Sequence, residues 1–287
     1  MTGVTDELAT QPGSPSGRVA QQPRQLIVTV YGLYSRDQGG WLSVATLVSL
    51  LAGLGVDEQA VRSSISRLKR RGILEAVRRD AAGYQLSVQA QAILHEGDVR
   101  IFRRSRPPLS DGWLLAVFSV PESERNKRHV LRSQLTRLGF GTAASGVWIA
   151  PAHLYEPTAD MLRRLDLTGN ATLFRADHLA FGDLREKVRQ WWDLDQLAAL
   201  YEAFLRAHSP MLRRWRRRGS TRPAEAFADY VRVLTDWRQL PYLDPGLPAE
   251  LLPTDWVGSR AADLFFTLQA QLDGAARDHV RATIARR

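Results

Sequence analysis

The chain of 287 residues contains no cysteine. Disulfides, thiolate nucleophiles and every cysteine-ligated zinc or iron–sulfur centre are therefore excluded, and the usage fits a reducing cytoplasm. Lysine is almost absent too, three residues against 36 arginines. No run approaches the ~18 uninterrupted apolar residues of a membrane span. The N-terminus lacks a charged segment leading into an apolar one, so no signal peptide is expected. The six histidines, His95, His129, His153, His178, His208 and His279, stand singly with no metal-ligand spacing. HExxH, GxSxG and phosphate-loop patterns are missing. No catalytic residue, metal or cofactor is assigned, and the chain is not read as an enzyme.

Hydrophobic residues make up 44% and charged residues 24%, an ordinary globular composition. The length suits two or three domains. The formal net charge is +9, nearly all of it from arginine. Such a balance points to a polyanion: nucleic acid, a phosphorylated ligand or an acidic membrane surface. Arginine bias also follows from GC-rich coding, so composition leaves the partner open.

Residues 1–23 are rich in Thr, Gln, Pro, Gly and Ser and are expected to be a disordered tail. From Arg24 the pattern becomes periodic. Leu26, Val30 and Leu33 form one helical stripe, with Ile27 and Tyr31 beside it, up to the Gly39-Gly40 break. Trp41-Leu42 suits a short strand. Ser43 is the candidate N-cap of a second helix, and Asp57 that of a third, which ends at Gly72. Ile73–Arg79 and Tyr84–Ser87 read as two strands around an Asp80–Gly83 turn. Helix, short strand, helix, helix and two-stranded ribbon is the order of a winged helix-turn-helix, placed at 24–88. A helical connector is expected over 89–109.

Trp113–Val120 is a continuous apolar run, as in a buried strand. Strand and helix patterns then alternate through Ala171–Ala176. This predicts a ferredoxin-like α/β unit over 110–178. From 181 to 287 the signal is helical. Pro210 is expected to open a short basic helix, and Pro241–Pro253 to be a loop. The fold class is thus α+β, with an N-terminal winged head, a central α/β unit and a C-terminal helical domain.

The third helix carries the chemistry. Val61, Ile65 and Leu68 share one face. The other face presents Gln59, Arg62, Ser63, Ser66, Arg67, Lys69, Arg70 and Arg71, and no acid occurs from Ala60 to Gly72. An ordinary solvated face mixes signs. One sign interleaved with small polar donors suits insertion between phosphates, with Arg reading guanine and Gln reading adenine. The N-terminal half (Gln59, Arg62, Ser63, Ser66) is assigned to bases and the C-terminal half to phosphates. Arg78 and Arg79 reach the wing. A single winged head buries little surface, so a homodimer on a two-fold operator of double-stranded DNA is expected.

These residues bring out a resemblance. Thr29-Val30-Tyr31-Gly32-Leu33-Tyr34, Gly39-Gly40-Trp41-Leu42, Val61-Arg62-Ser63, Arg67-Leu68-Lys69-Arg70-Arg71-Gly72 and Gly83-Tyr84-Gln85-Leu86-Ser87 resemble the PaaX family of bacterial repressors. Gly139-Phe140-Gly141 and Gly146-Val147-Trp148-Ile149-Ala150-Pro151 resemble its middle domain, which is similar in fold to Cas2. Leu200-Tyr201-Glu202-Ala203-Phe204 and the late run Asp244-Pro245, Leu247-Pro248, Glu250-Leu251-Leu252-Pro253, Trp256 and Gly258 continue it, over about 24–270.

The resemblance implies a cytoplasmic repressor of phenylacetic acid or related aromatic catabolism. It also implies an acyl-CoA effector, phenylacetyl-CoA or another aryl-CoA. Such a ligand needs arginines for its phosphates and an apolar slot. Arg213, Arg214, Arg216 and Arg217 form the densest positive cluster, with Arg218 adjoining, and Trp191 and Tyr201 are candidate pocket walls, alongside Trp192, Phe204 and Trp237. Arginines at a helix end also complement the macrodipole, and aromatics at helical spacing also serve as core. A Cas2-like unit raises metal-dependent nuclease chemistry, but the acids near its first strand, Glu122 and Glu124, follow Pro121 and none lies within the strand. A DNA-bound scaffold that senses nothing stands as the alternative to a ligand-released repressor.

Overall fold

A computed structural model describes residues 22–36, 39–103, 106–179, 181–218 and 222–286. The expected tail lies outside the described residues except for Gln22 and Pro23. Pro23 already opens the first helix, at a position where its missing N–H is not needed.

Helix α1 spans Pro23–Val30 and runs on as a π-turn over Tyr31–Ser35. Strand β1 is Trp41–Ser43. Ser43 caps α2 (Val44–Ala52), accepting from the Thr46 N–H, and Asp57 caps α3 (Glu58–Arg70) through the Ala60 N–H. Each such cap contributes about 1 kcal/mol. Strands β2 (Leu74–Arg78) and β3 (Ala82–Leu86) form a hairpin, and β1 adds to β3 to give the order β1-β3-β2, all antiparallel. Helix α4 follows over Val88–Phe102.

The second sheet is built from β4 (Trp113–Phe118), β5 (Gly141–Ala144), β6 (Val147–Pro151) and β7 (Ala171–Ala176). Its order is β5-β6-β4-β7, antiparallel throughout. Helix α5 (Arg125–Leu138) lies between β4 and β5 in the chain, and α6 (Tyr155–Arg164) between β6 and β7. This βαββαβ order is the ferredoxin-like topology. β5 has no clear alternation in sequence and exists through its bulged pairing with β6. One face of the sheet buries Leu114, Ala116 and Trp148 with Leu131 and Leu135 of α5 and Met161 and Leu162 of α6.

The remaining helices are α7 (Leu184–Trp191), α8 (Leu194–Arg216), α9 (Pro223–Trp237), α10 (Leu240–Leu243) and α11 (Val257–Ala285). Two expectations need correction. Pro210 does not open a helix: it lies inside the 23-residue α8. The proline removes one backbone bond, but burial of His208 and Trp215 on either side of it keeps the segment helical. The 241–253 segment is not all loop. Pro241 sits in the first turn of α10, and Pro248 precedes a 3-10 turn over Ala249–Leu251, positions that need no proline N–H.

The chain forms two compact units. The first joins residues 1–102 with 203–239 and 260–287, and the second joins 103–202 with 240–259. The C-terminal helices are therefore shared between units rather than gathered in one, because α1 needs cover from them as core. Leu26, Ile27, Val28, Thr29 and Val30 are buried on every side of α1. Helix α9 supplies the missing cover: Thr29 and Thr235 share a buried hydrogen bond at 2.8 Å, and the Tyr34 and Phe227 rings lie 5.7 Å apart. Trp237 is fully buried in the same unit, stacked on Phe265 at 4.8 Å, and its Nε1 donates to the Ile101 carbonyl at 3.2 Å.

Candidate nucleic-acid interface

Helix α3 buries Val61, Ser64, Ile65 and Leu68. The three aliphatic side chains contribute about 1.5–3 kcal/mol each, and this fixes the rotation of the helix. The opposite side is left to solvent. Gln59, Arg62, Ser63, Ser66, Arg67, Lys69, Arg70 and Arg71 are all exposed. Arg62 forms an i,i+4 ion pair with Glu58 at 2.6 Å, with both side chains more than half exposed. Such a pair is worth only a few tenths of a kcal/mol and is readily exchanged for another anion. The other cations of the helix point outward in one sign.

The β2–β3 hairpin is held by a residue that the helix pattern did not single out. Trp41 of β1 donates Nε1 to the Val77 carbonyl at 2.8 Å and lies flat on Gly83. A Cβ at Gly83 would come within 2.4 Å of the indole, so only glycine fits there. The Arg79 guanidinium stands 5.3 Å from the Trp41 ring centre, a cation–π arrangement that carries it on the hairpin turn. Arg78 and Arg79 are both exposed at that turn. The Gly-Gly-Trp order before a polar β-hairpin was the available signal. Tyr31 ties the first helix to the sheet by donating to the Tyr84 carbonyl at 3.0 Å; burial, then Tyr84, pushes its phenol pKa far above the usual range.

Net positive charge is concentrated in the unit that carries this helix; the other unit is close to neutral. A one-signed helix on a neutral body would bind polyanions by that face alone. Here the whole unit adds to the field.

The residues singled out for an effector do not fall in one unit. Arg213, Arg214, Arg216 and Arg217 belong to the first unit and are exposed. Arg214 is ion-paired with Asp229. Trp191 and Tyr201 belong to the second. Tyr201 is fully buried, and its hydroxyl donates to Asp244 at 2.8 Å. Trp191 packs edge-on against Trp113 at 5.9 Å. The second unit also has an open groove of about 530 Å³ between the ends of β4 and β7 and the start of α6. Trp113, Leu114, Tyr155 and Phe174 line it, with Arg175 and His153 as its basic groups. Phe174 and Tyr155 are about half exposed there.

Family models match this chain in three consecutive blocks. Residues 22–90 match the PaaX-like protein model, 106–188 the PaaX protein central Cas2-like domain and 192–282 the PaaX-like protein C-terminal domain. The chain belongs to the PaaX family. It is 27% identical over 256 residues to the Transcriptional repressor PaaX of Escherichia coli K12, covering 88% of this chain and 80% of that protein. A solved structure of the uncharacterized protein Rv0674 from Mycobacterium tuberculosis shares the fold, with a TM-score of 0.60 and 23% identity over 91% of this chain and 99% of that one.

Residues of the motifs that carry the family resemblance, Gly139, Asp244, Pro245 and Gly258, form a packing knot in the second unit. Asp244, 4% exposed, accepts from Arg106 at 3.0 Å and from Tyr201, and its other oxygen takes the Gly246 N–H at 2.8 Å. Gly139 lies so close to Pro245 that a Cβ would meet its Cα at 2.9 Å, and the Gly139 carbonyl accepts from Trp192 Nε1. Gly258 is covered by the Trp256 and Tyr201 rings. Among the described residues no group of three or more His, Asp or Glu is placed to hold a metal ion.

Proposed function

We propose that the protein is a sequence-specific DNA-binding transcriptional repressor. Its head, residues 24–88, acts as a winged helix-turn-helix: α3 enters the major groove and the β2–β3 hairpin lies along the adjacent backbone or minor groove. The observation that carries this reading is the outward, one-signed face of α3, fixed by burial of Val61, Ile65 and Leu68 beneath it. The name of the Escherichia coli relative, a transcriptional repressor, supports it. The protein acts in the cytoplasm as a homodimer on a two-fold operator, since two heads one turn apart double the contacts of a single module.

The effector of this reading is an aryl-CoA thioester such as phenylacetyl-CoA, which lowers operator affinity. The groove beside Phe174, Tyr155 and Arg175 has the size and aromatic lining for an aryl group. Moving the population from 99:1 to 1:99 needs about 5.5 kcal/mol of differential affinity, and operator DNA must weaken the ligand by the same factor.

A mobility-shift titration on the upstream region of the regulated genes tests both parts. Replacing Arg70 by Ala should weaken all sequences alike and reduce the salt slope by about 0.9. Replacing Arg62 or Ser63 should relax preference at one position by about 1–3 kcal/mol. Wild-type binding by all three variants would remove α3 as the reader. Release by phenylacetyl-CoA, but not by free CoA or the free acid, supports the effector; no response to any aryl-CoA refutes it. A monomeric mass by light scattering, on and off DNA, refutes the dimer.

A further inference from the structure

Five arginines crowd the end of α8: Arg213, Arg214, Arg216, Arg217 and Arg218. Two have carboxylate partners, Arg214 on Asp229 and Arg218 on Glu225. Those two pairs lock the helix end onto α9, and Trp215, 3% exposed, completes the lock by donating Nε1 to Asp229 at 2.7 Å. Arg213, Arg216 and Arg217 are different. They are exposed and have no ion pair or hydrogen bond among the described residues. Arg213 and Arg216 are three apart, where like charges repel by a few tenths of a kcal/mol. Cations kept together at that cost, with Asp229 and Glu225 already taken by Arg214 and Arg218, suit an anion from outside.

Their position follows from a chain of contacts inside one compact unit. Asp229 lies three residues before Arg232 on α9, so both project from the same side, with a rise of about 4.5 Å between them. Arg232 donates Nη2 to the Leu54 carbonyl at 3.2 Å. Leu54 belongs to the turn that joins α2 to α3, just ahead of Asp57 and the base-facing residues Gln59 and Arg62. Helix α9 thus contacts both the arginine-rich end of α8 and the turn that leads into the reading helix.

We propose that Arg213, Arg216 and Arg217 form a second contact with the DNA backbone, holding phosphates that flank the bases read by α3. The proposal rests on the DNA-binding reading above. Phosphate contacts carry no sequence information, so this patch would set affinity and footprint length and leave base preference to α3. Exposed guanidinium groups suit it, because each can take a phosphate bidentately.

The test uses the full chain with Arg213, Arg216 and Arg217 all replaced by Ala, and a second variant with all three replaced by Lys. Operator and random duplexes are titrated across a salt series, and the protected region is mapped by footprinting. The Ala variant should lose affinity for both duplexes by a similar factor. Its log–log salt slope should fall by up to about 2.7, at ~0.9 per phosphate. Protection should shorten at the flank. The Lys variant should keep most of the slope. Both should melt like the parent, since the three side chains have no ion pair or hydrogen bond among the described residues. An Ala variant with parental affinity, slope and footprint overturns the proposal while leaving α3 as reader. An Ala variant that keeps DNA but loses its aryl-CoA response also overturns it and assigns the cluster to the ligand's phosphates. A wild-type chain that binds no duplex refutes the DNA reading itself, and the proposal falls with it.

Discussion

Asp244 is the residue whose removal should damage the second unit most. Asp244 is 4% exposed, and its carboxylate accepts hydrogen bonds from Arg106, Tyr201 and the Gly246 backbone. Replacing Asp244 by Ala leaves a guanidinium and a phenol without their acceptor in a mostly dry setting. Breaking a buried pair on one side costs about 3–5 kcal/mol. The Arg106 side chain is 18% exposed and keeps a second bond to the Leu247 carbonyl at 2.8 Å, which places the loss near the low end, about 3 kcal/mol. Asp244→Asn keeps an acceptor of the same shape and should cost roughly half as much. Tyr201→Phe removes one hydrogen bond and should cost about 1 kcal/mol.

The assay is urea unfolding followed by tryptophan fluorescence, with Trp256 as a local reporter because its ring lies 6.2 Å from that of Tyr201. Two compact units need not unfold in one transition, so the phase that moves is as informative as its midpoint. A 3 kcal/mol loss lowers that midpoint by about 1–3 M at ordinary urea slopes. The Asp244→Ala, Arg106→Ala double variant should lose less than the sum of the single ones, since one pair is removed once. A loss below about 1 kcal/mol for Asp244→Ala, or strict additivity in the double variant, would refute the reasoning.

Three other outcomes follow from the head and its helices. Gly83→Ala forces a methyl into the Trp41 indole and should cost about 1–3 kcal/mol, with weaker operator binding as Arg79 loses its platform; parental stability and affinity together would sink this account of the wing. Thr235→Val leaves the Thr29 hydroxyl with only its bond to the Gln25 carbonyl and should cost about 1 kcal/mol in unfolding of the first unit, against no change if that contact is idle. Burial, and then the Arg286 charge, hold the His279 imidazole below its ordinary value near 6.5. The folded state therefore binds this proton less readily than the unfolded one. Stability is full above about pH 6.5 and declines as the pH falls below it. His279→Gln should flatten that decline, read as the pH dependence of the unfolding midpoint; an unchanged slope would exclude the histidine as its source.

Periodicity in the sequence determined the local elements, because a helix or strand records its buried face at 3.6 or 2 residues whatever it packs against. The caps Ser43 and Asp57, the inward Val61, Ile65 and Leu68, and three strands alternating with two helices in the middle unit were legible on that basis, whereas β5 was not, because it exists through its pairing with β6. So were the outward cations of α3, since the apolar stripe leaves them nowhere else to go. Family membership was equally legible, from motifs spread along the chain. What packs on what was not. Alternation cannot tell which distant helix closes the far side of α1, and only the tertiary structure brings Thr235 to Thr29 and Arg232 to Leu54. The late Asp244-Pro245 motif could be recognised, but its work as an acceptor for Arg106 and Tyr201 depends on residues 138 and 43 positions away. Pro210 misled for the same reason. A proline's local preference is to break a helix, and burial of the turns on either side of it outweighed that preference.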